Sequence, residues 1–398
     1  MQTSSDIATT PPLRETLADL FPRSTMVRIF MSWTVVVGVV LFGHTFLTQP
    51  IANGPAIMGF LVLFATILYA AFGVVYEADH LAHKLGEPYG TLILTLAIVG
   101  IEVILIAAVM LGPGDSATIG RDSIFAVMMI ILNLVVGICL LFGGLRYGEQ
   151  EYNSQGAIAY LSMIALLTGV ALVVPNFLST GNGTFLPVQA IAIALFVVIL
   201  YAGFLGMQMR GYRRFFVQPE LGSLSIPVEP PEAVQKGTLP SSVPDLDWRA
   251  ILIRSLTLVV LILPIVLLAH DMAVLIDFGV ESVGAPIAVG GVIIAIIVFT
   301  PESLTAVRAA MANEMQRAVN LCLGAFVSTV GLTVPAVLTV GLVTGSTVVM
   351  GLPPLDIVLL AVTVALSTMT FLGLRTSPVQ GMMHLALFAV YAVLLFIP

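Results

Sequence analysis

Eleven apolar stretches of about 20 residues run through this chain of 398 residues. That length lets an α-helix cross a hydrocarbon core roughly 30 Å thick while it satisfies its own backbone hydrogen bonds. The predicted spans are residues 28–47, 55–76, 89–111, 124–145, 156–178, 185–207, 250–270, 285–307, 318–343, 355–373 and 379–396. Only 9% of the residues are charged, which excludes a soluble globular domain. The predicted fold is an all-α polytopic membrane protein with 11 transmembrane helices.

The positive charges predict how these helices are oriented. The polar N-terminus lacks the basic region, short apolar core and cleavage site of a secretory signal peptide, so we expect the first span to be retained. With the N-terminus in the cytoplasm, fourteen of the fifteen Lys and Arg residues lie on the cytoplasmic side and only Arg121 lies outside. The positive-inside rule therefore predicts a cytoplasmic N-terminus and an external C-terminus in a bacterial inner membrane.

A hydrophilic interval rich in proline, serine and glutamate separates two sets of five spans, and its composition is typical of a flexible linker. A unit with an odd number of spans, repeated once, has opposite orientations in its two copies, as in many secondary transporters. The predicted organisation is a cytoplasmic N-terminal segment (1–27), an extra transmembrane helix (28–50), a first five-helix repeat (51–210), a cytoplasmic linker (211–249) and a second five-helix repeat (250–398).

Two glutamates stand alone inside apolar spans, Glu102 in one half and Glu302 in the other. Each follows a loop that ends in Gly-x-Pro, LGEP at 85–88 and VGAP at 283–286. A carboxylate at mid-bilayer costs roughly 2.5–3.5 kcal/mol, and such residues face a protein interior or a water-filled cavity. We therefore expect the two carboxylates to meet near the midplane and to bind one hard cation, such as Ca²⁺, or protons. Pro301 should kink or break the second of these helices just before the glutamate.

Polar side chains in the same and the following spans are candidates for further ligands or for the shell around the ion. These candidates are Asn133, Ser328, Thr329 and Thr95. Hydrogen bonding between helices is an alternative role for Asn133, and close helix packing is an alternative for Ser328.

Two polar segments precede the carboxylate spans and are predicted to be loops at opposite mouths of the pathway. YEADHLAHKLGEP contains Glu77, Asp79 and His83, and HDMAVLIDFGVES contains Asp271. Such loops can gather cations or protons, although a solvated loop face without a specific role is the alternative.

The chain has two cysteines, Cys139 and Cys322. Both fall inside predicted spans, and their spacing fits neither a CxxC motif nor a metal site. We therefore expect both to be small buried hydrophobic residues without a redox role.

Three stretches, in order, carry a resemblance to a known family: ADHLAHKLGEPYGTLILTLAIVGIEV, TPESLTAVRAAMANEMQRAVNLCLG and HLALFAVYA. They resemble the ChaA-type bacterial Ca²⁺/H⁺ antiporters of the cation/Ca²⁺ exchanger superfamily, on its CAX-like branch. The resemblance covers residues 28–398 apart from the linker. The chain departs from the wider superfamily at IVGIE (98–102) and VFTPE (298–302), where that superfamily has a G-N-A-x-E pattern.

The resemblance implies one extra helix plus two inverted five-helix repeats, alternating access, and export of Ca²⁺ against protons, with Na⁺ or K⁺ carried by some members. Glu102 and Glu302 occupy the places of the family's ion-binding glutamates. The implied partners are Ca²⁺, H⁺ and the lipid bilayer, with no cofactor and no nucleic acid.

Other classes of function fit the sequence less well. Exchange of Na⁺ or K⁺ for protons is the first alternative, because few further oxygens accompany the two glutamates. A passive cation channel would also need intramembrane carboxylates, but channels usually assemble a ring of filter residues from several chains. The spans contain no spaced Asp-rich or Ser/His constellation, so we do not expect an enzyme.

Overall fold

The computed structural model describes residues 22–46, 53–85, 89–111, 117–179, 181–209, 212–219 and 248–397. Within these ranges, one long helix lies at each of the eleven predicted spans. The helices are α1 (Arg23–Phe46), α2 (Asn53–Leu85), α3 (Tyr89–Met110), α4 (Ile119–Tyr147), α5 (Ser154–Phe177), α6 (Pro187–Met209), α7 (Trp248–Ser282), α8 (Ala288–Met311), α9 (Met315–Thr344), α10 (Pro354–Phe371) and α11 (Pro378–Phe396). Two short strands, β1 (Gln150–Glu151) and β2 (Arg375–Thr376), pair antiparallel. The predicted all-α fold class is confirmed.

The packing of the helices follows the inverted repeat. When α2–α6 are exchanged for α7–α11 in order, each main packing pair becomes another observed pair. Thus α4 packs on α8 as α9 packs on α3, α4 packs on α11 as α9 packs on α6, and α2 packs on α8 as α7 packs on α3. Helices α2 and α7 pack on each other, and the extra helix α1 lies outside, against these two. This exchange symmetry is what two inverted five-helix repeats produce.

Each end of the bundle is held by polar contacts between helix ends. At the end that carries β1 and β2, here called the strand end, Gln150 Nε2 donates a 2.8 Å hydrogen bond to the Ala310 carbonyl at the end of α8. At the opposite end, Arg121 forms a 3.0 Å ion pair with Asp122 and donates to the Gly351 carbonyl. The basic residue that the orientation prediction left outside therefore ties α4 to the segment before α10.

The described residues of both segments predicted to be loops at the pathway mouths, 76–85 and 270–282, are helical, so that prediction is wrong for them. Glu77 and Asp79 lie in the last turns of α2, and Asp271 lies well inside α7, which has 35 residues. Residues 77–85 contain Ala, Leu, Glu and Lys, and no Gly or Pro interrupts them. These residues have high helix propensity, so the helix continues past the point where the apolar window ends.

Glu77 is buried and paired, unlike a residue that faces solvent at the mouth of a pathway. Its side chain is 0% exposed and forms a 3.0 Å ion pair with Arg254 of α7, which is 3% exposed. Its second oxygen accepts a 2.8 Å hydrogen bond from Thr25 of α1. The carboxylate therefore joins α1, α2 and α7 at the strand end and does not face the solvent.

The repeat relates Glu77 to an acidic residue near the opposite end. Asp277 follows Glu77 by 200 positions, the same interval that separates Glu102 from Glu302. Asp277 Oδ2 is buried and has no hydrogen-bond partner among the described residues. Equivalent carboxylates of the two repeats thus have different surroundings.

The first residues of the predicted linker pack on the strand end. Arg213–Phe216 form a 3₁₀ turn, and Asn320 of α9 donates a 2.6 Å hydrogen bond to the Phe216 carbonyl. The backbone N–H of Gln316 donates to Gln218 Oε1 at 2.9 Å. This part of the linker is therefore held in place, against expectation. Residues 220–247 lie outside the described residues, so the linker character of that part and the domain boundaries remain predictions.

Candidate cation site

Helix α8 carries Glu302, and it does not break where the sequence predicts. The helix runs without interruption from Ala288 to Met311 through Pro301, although Pro301 has no N–H to offer the Ile297 carbonyl. Near its start, α8 approaches α4 closely, since a Cβ atom on Gly291 would lie 2.8 Å from the Ser123 backbone nitrogen. This contact places the carboxylate helix directly against α4.

Glu102 lies on α3 and is 0% exposed. Its Oε2 accepts a 2.9 Å hydrogen bond from the Thr329 hydroxyl of α9. Thr333, one turn further along α9, lies beside the same carboxyl without a hydrogen bond of good geometry. Glu102 Oε1 is buried and has no hydrogen-bond partner among the described residues.

The two glutamates lie on helices that pack against each other, Glu102 on α3 and Glu302 on α8. Glu302 and Glu102 are close enough for their charges to repel each other when both are ionised. Glu302 Oε2 is also buried without a hydrogen-bond partner in the described part of the chain. Unsatisfied buried carboxylate oxygens cost free energy unless a proton or a cation occupies them. The structure therefore places the two glutamates within electrostatic reach of each other, and their role in ion binding stays a prediction.

A small cavity adjoins Glu302, with room for about one water molecule at a volume of about 10 Å³. It lies between α4, α8 and α9. Its lining residues are Ile131, Val135, Phe299, Glu302, Ser303, Ala306, Leu321, Cys322 and Ala325. Apart from the carboxyl and two small polar side chains the lining is apolar, so a cation there would depend on Glu302 for charge compensation.

The described hydrogen bonds of Asn133 and Ser328 go to residues other than the two glutamates, and their roles as ligands stay predictions. Asn133 Nδ2 donates to Thr363 of α10 at 3.0 Å, and its Oδ1 lies 3.3 Å from His384 Nδ1 of α11. Ser328 Oγ accepts a 3.0 Å hydrogen bond from Tyr201 of α6. Because successive residues of a helix differ by about 100° in direction, Ser328 points away from Glu102 while Thr329 points at it. Both side chains therefore join helices.

The other predicted residues are placed as follows. The side chains of Thr95 and His83 lie outside the described part of the structure, so their roles stay predictions. Asp79 and Asp271 are partly exposed and lie on α2 and α7, in helices and not in the expected loops. Neither residue has a described contact with the two glutamates.

The sequence analysis did not predict that Thr333 and Cys322 lie near the two glutamates. Thr333 follows Thr329 by four residues, and this helical spacing on α9 was the available signal. Cys322 lines the Glu302 cavity, but its sequence spacing gave no indication of this. Two carboxylates and two threonine hydroxyls supply up to six oxygens, which is about the lower limit for Ca²⁺.

Comparison with known proteins agrees with this geometry. The sodium/calcium exchanger protein family matches residues 55–210 and 249–397. The chain is 34% identical over 331 residues to y4hA of Sinorhizobium fredii (strain NBRC 101917 / NGR234), named as an ionic transporter, covering 83% of this chain and 86% of the relative. It is 35% identical over 331 residues to the sodium-potassium/proton antiporter ChaA of Escherichia coli (strain K12), with the same coverage of 83% and 86%.

The fold has a solved counterpart as well. The structure of YfkE, a Ca²⁺/H⁺ antiporter, matches with a TM-score of 0.66 at 18% identity, covering 94% of this chain and 100% of that one. At this identity the match bears on the fold alone, and it agrees with the eleven helices and their exchange symmetry. The family match covers more than half of the chain, and the chain therefore belongs to the sodium/calcium exchanger protein family, on the CAX-like branch that its sequence resembles.

Proposed function

We propose that this protein is a secondary active transporter that exchanges cytoplasmic Ca²⁺ for external protons at Glu102 and Glu302. The observation that carries the proposal is the pair itself. Two carboxyl groups lie within electrostatic reach of each other on packed helices, each with one buried oxygen that no described residue satisfies. A bound cation or a proton is the partner that such oxygens lack.

Coupling follows from the chemistry of the pair. A cation binds carboxylates only in their deprotonated form, and in the empty site the two negative charges repel each other. Protons and the cation therefore exclude each other at the same oxygens, and binding of one opposes binding of the other. Alternating access of this site to the two sides of the membrane then exchanges one for the other.

Ca²⁺ is the cation that we propose first. Two carboxylates neutralise its charge, and the hydroxyls of Thr329 and Thr333 bring the available oxygens to six. Exchange of Na⁺ or K⁺ for protons is the second candidate, because ChaA of Escherichia coli, 35% identical to this chain, is named a sodium-potassium/proton antiporter. The apolar lining of the cavity beside Glu302 also favours a site with few oxygens.

The direction of transport follows from the proposed orientation. The positive-inside rule puts the strand end in the cytoplasm of a bacterial inner membrane. The inward proton-motive force would then drive cation export. Protease cleavage of the 220–247 segment in intact right-side-out vesicles would contradict this orientation.

The test is proton movement in inside-out vesicles that hold a respiration-driven proton gradient, followed with a pH-sensitive dye. Addition of Ca²⁺ should release protons in vesicles with the wild-type protein and not in vesicles with Glu302→Gln. Na⁺ and K⁺, added separately, test the second candidate. A passive channel would give cation flux only down the cation gradient, so the absence of proton-driven uphill Ca²⁺ uptake would refute the antiport.

A further inference from the structure

The two cysteines of the chain lie together in the interior, although they are 183 positions apart in the sequence. Cys139 on α4 is 1% exposed and Cys322 on α9 is 4% exposed. Both are free thiols, and they lie within electrostatic reach of each other. Helices α4 and α9 pack against each other along this stretch.

The pair adjoins the proposed cation site. Cys322 and Glu302 line the same cavity, and so does Val135 of α4. Cys139 follows Val135 by four residues, which places it one turn along the same face of α4. Glu302 also lies within electrostatic reach of Cys322. Cys322 therefore lies beside the carboxylate, and Cys139 lies one helical turn from a residue that lines the same cavity.

We propose that Cys139 and Cys322 form a binding site for a thiophilic metal ion next to Glu302. On binding of a divalent ion such as Hg²⁺, two S–H bonds break, two metal–sulfur bonds form, and two protons leave to water. The metal keeps its oxidation state, so the step needs neither an oxidant nor a reductant. Thiolate sulfur is a soft ligand that selects such metals over Ca²⁺.

The surroundings restrict the class of metal. The described part of the chain has no group of three or more His, Cys, Asp or Glu side chains arranged to hold a metal ion. A structural zinc site takes four ligands, which this place does not supply. The pair therefore suits ions that two sulfur ligands satisfy, namely Hg²⁺ or Cu⁺.

Binding at this place has a consequence for transport, and this part of the inference rests on the proposed exchange at Glu302. The cavity has room for about one water molecule, at about 10 Å³. A metal ion held between the two sulfurs fills the space beside the carboxylate and ties α4 to α9. Exchange should therefore stop when the thiophilic metal binds.

The stoichiometry of mercury binding tests the site without any transport measurement. Purified full-length protein receives one molar equivalent of mercuric chloride, and the thiols that remain are counted with a maleimide reagent under denaturing conditions. The chain has only two cysteines, so a shared site leaves none free after one equivalent. If the cysteines react separately, one thiol remains and two equivalents are needed. That result, or no reaction, overturns the proposal.

The transport arm uses Cys139→Ser and Cys322→Ser, each compared with its own rate without metal. One equivalent of mercuric chloride should stop exchange by the wild type and leave most of the rate of both variants, and excess dithiothreitol should restore the wild type. Equal inhibition of the variants and the wild type contradicts the proposed block. If the wild type moves no protons with any cation, the proposed exchange fails, while the thiol count still decides the metal site.

Discussion

The buried ion pair of Glu77 and Arg254 permits a quantitative test of the fold. The two groups are 0% and 3% exposed and 3.0 Å apart, and Thr25 occupies the second carboxylate oxygen. Glu77→Gln keeps the side-chain volume but removes the charge that faces the buried guanidinium in this ion pair. Removing one partner of a buried ion pair costs about 3–5 kcal/mol, because the other charge stays buried and uncompensated. Arg254→Met should cost a similar amount.

The assay is thermal unfolding in detergent, followed by the loss of monodisperse protein. At about 2 °C per kcal/mol, the lower end for domains of 150–250 residues, the midpoint should fall by roughly 6–10 °C in Glu77→Gln. The double variant Glu77→Gln with Arg254→Met removes both charges and should regain most of this loss.

The matched control is the exposed pair of Glu314 and Arg317, whose side chains are 47% and 54% exposed at 3.2 Å. Glu314→Gln should change stability by less than about 1 kcal/mol. The structural role given to Glu77 and Arg254 is wrong if the unfolding midpoint of Glu77→Gln falls no further than that of Glu314→Gln. It is also wrong if the double variant is less stable than either single variant. A role of Glu77 at the pathway mouth would instead appear as lost transport in the stable double variant.

Three predictions concern the ion site. Glu102→Gln and Glu302→Gln should each abolish cation-driven proton movement in vesicles while the protein remains monodisperse, and exchange by either variant at the wild-type rate would remove that glutamate from the mechanism. Lower pH should weaken the apparent Ca²⁺ affinity, by up to about 100-fold per pH unit if two protons compete with one ion, and a pH-independent affinity measured by calorimetry would contradict the shared site. Thr329→Val removes the donor that favours ionised Glu102, so protons compete better and the apparent Ca²⁺ affinity at fixed pH should fall roughly tenfold. Ser328→Ala, which alters the contact with Tyr201, is its control and should change the affinity little.

The helix count could be predicted from the sequence because each crossing requires its own apolar stretch of about 20 residues. The lengths of α2 and α7 could not be predicted in this way. The apolar stretch ends at the first charged residues, whereas the helix continues as long as the residues favour helical backbone. Residues 77–85 illustrate this, since they are polar enough to suggest a loop and are helix formers all the same.

The two carboxylates were recognisable because an isolated charge in an apolar span is costly to insert and therefore marks a functional position. Their neighbours were less accessible to sequence reasoning. Thr329 and Ser328 are adjacent in sequence but point to α3 and α6 respectively, a difference that depends on the rotation of α9. The meeting of Cys139 and Cys322 depends on how α4 and α9 are aligned along their lengths, which neither segment encodes by itself.

The different surroundings of Glu77 and Asp277 bear on the energetics of the transport cycle. In an ideal inverted repeat, exchanging the two halves converts the inward-facing state into an outward-facing state of equal energy. Here one carboxylate is neutralised by Arg254, whereas its counterpart keeps a buried oxygen without a partner among the described residues. Exchanging the two halves therefore does not regenerate the same molecule, and we expect the empty protein to prefer one of the two orientations even when ion concentrations are equal on both sides. Opposite directions of exchange should then differ in rate.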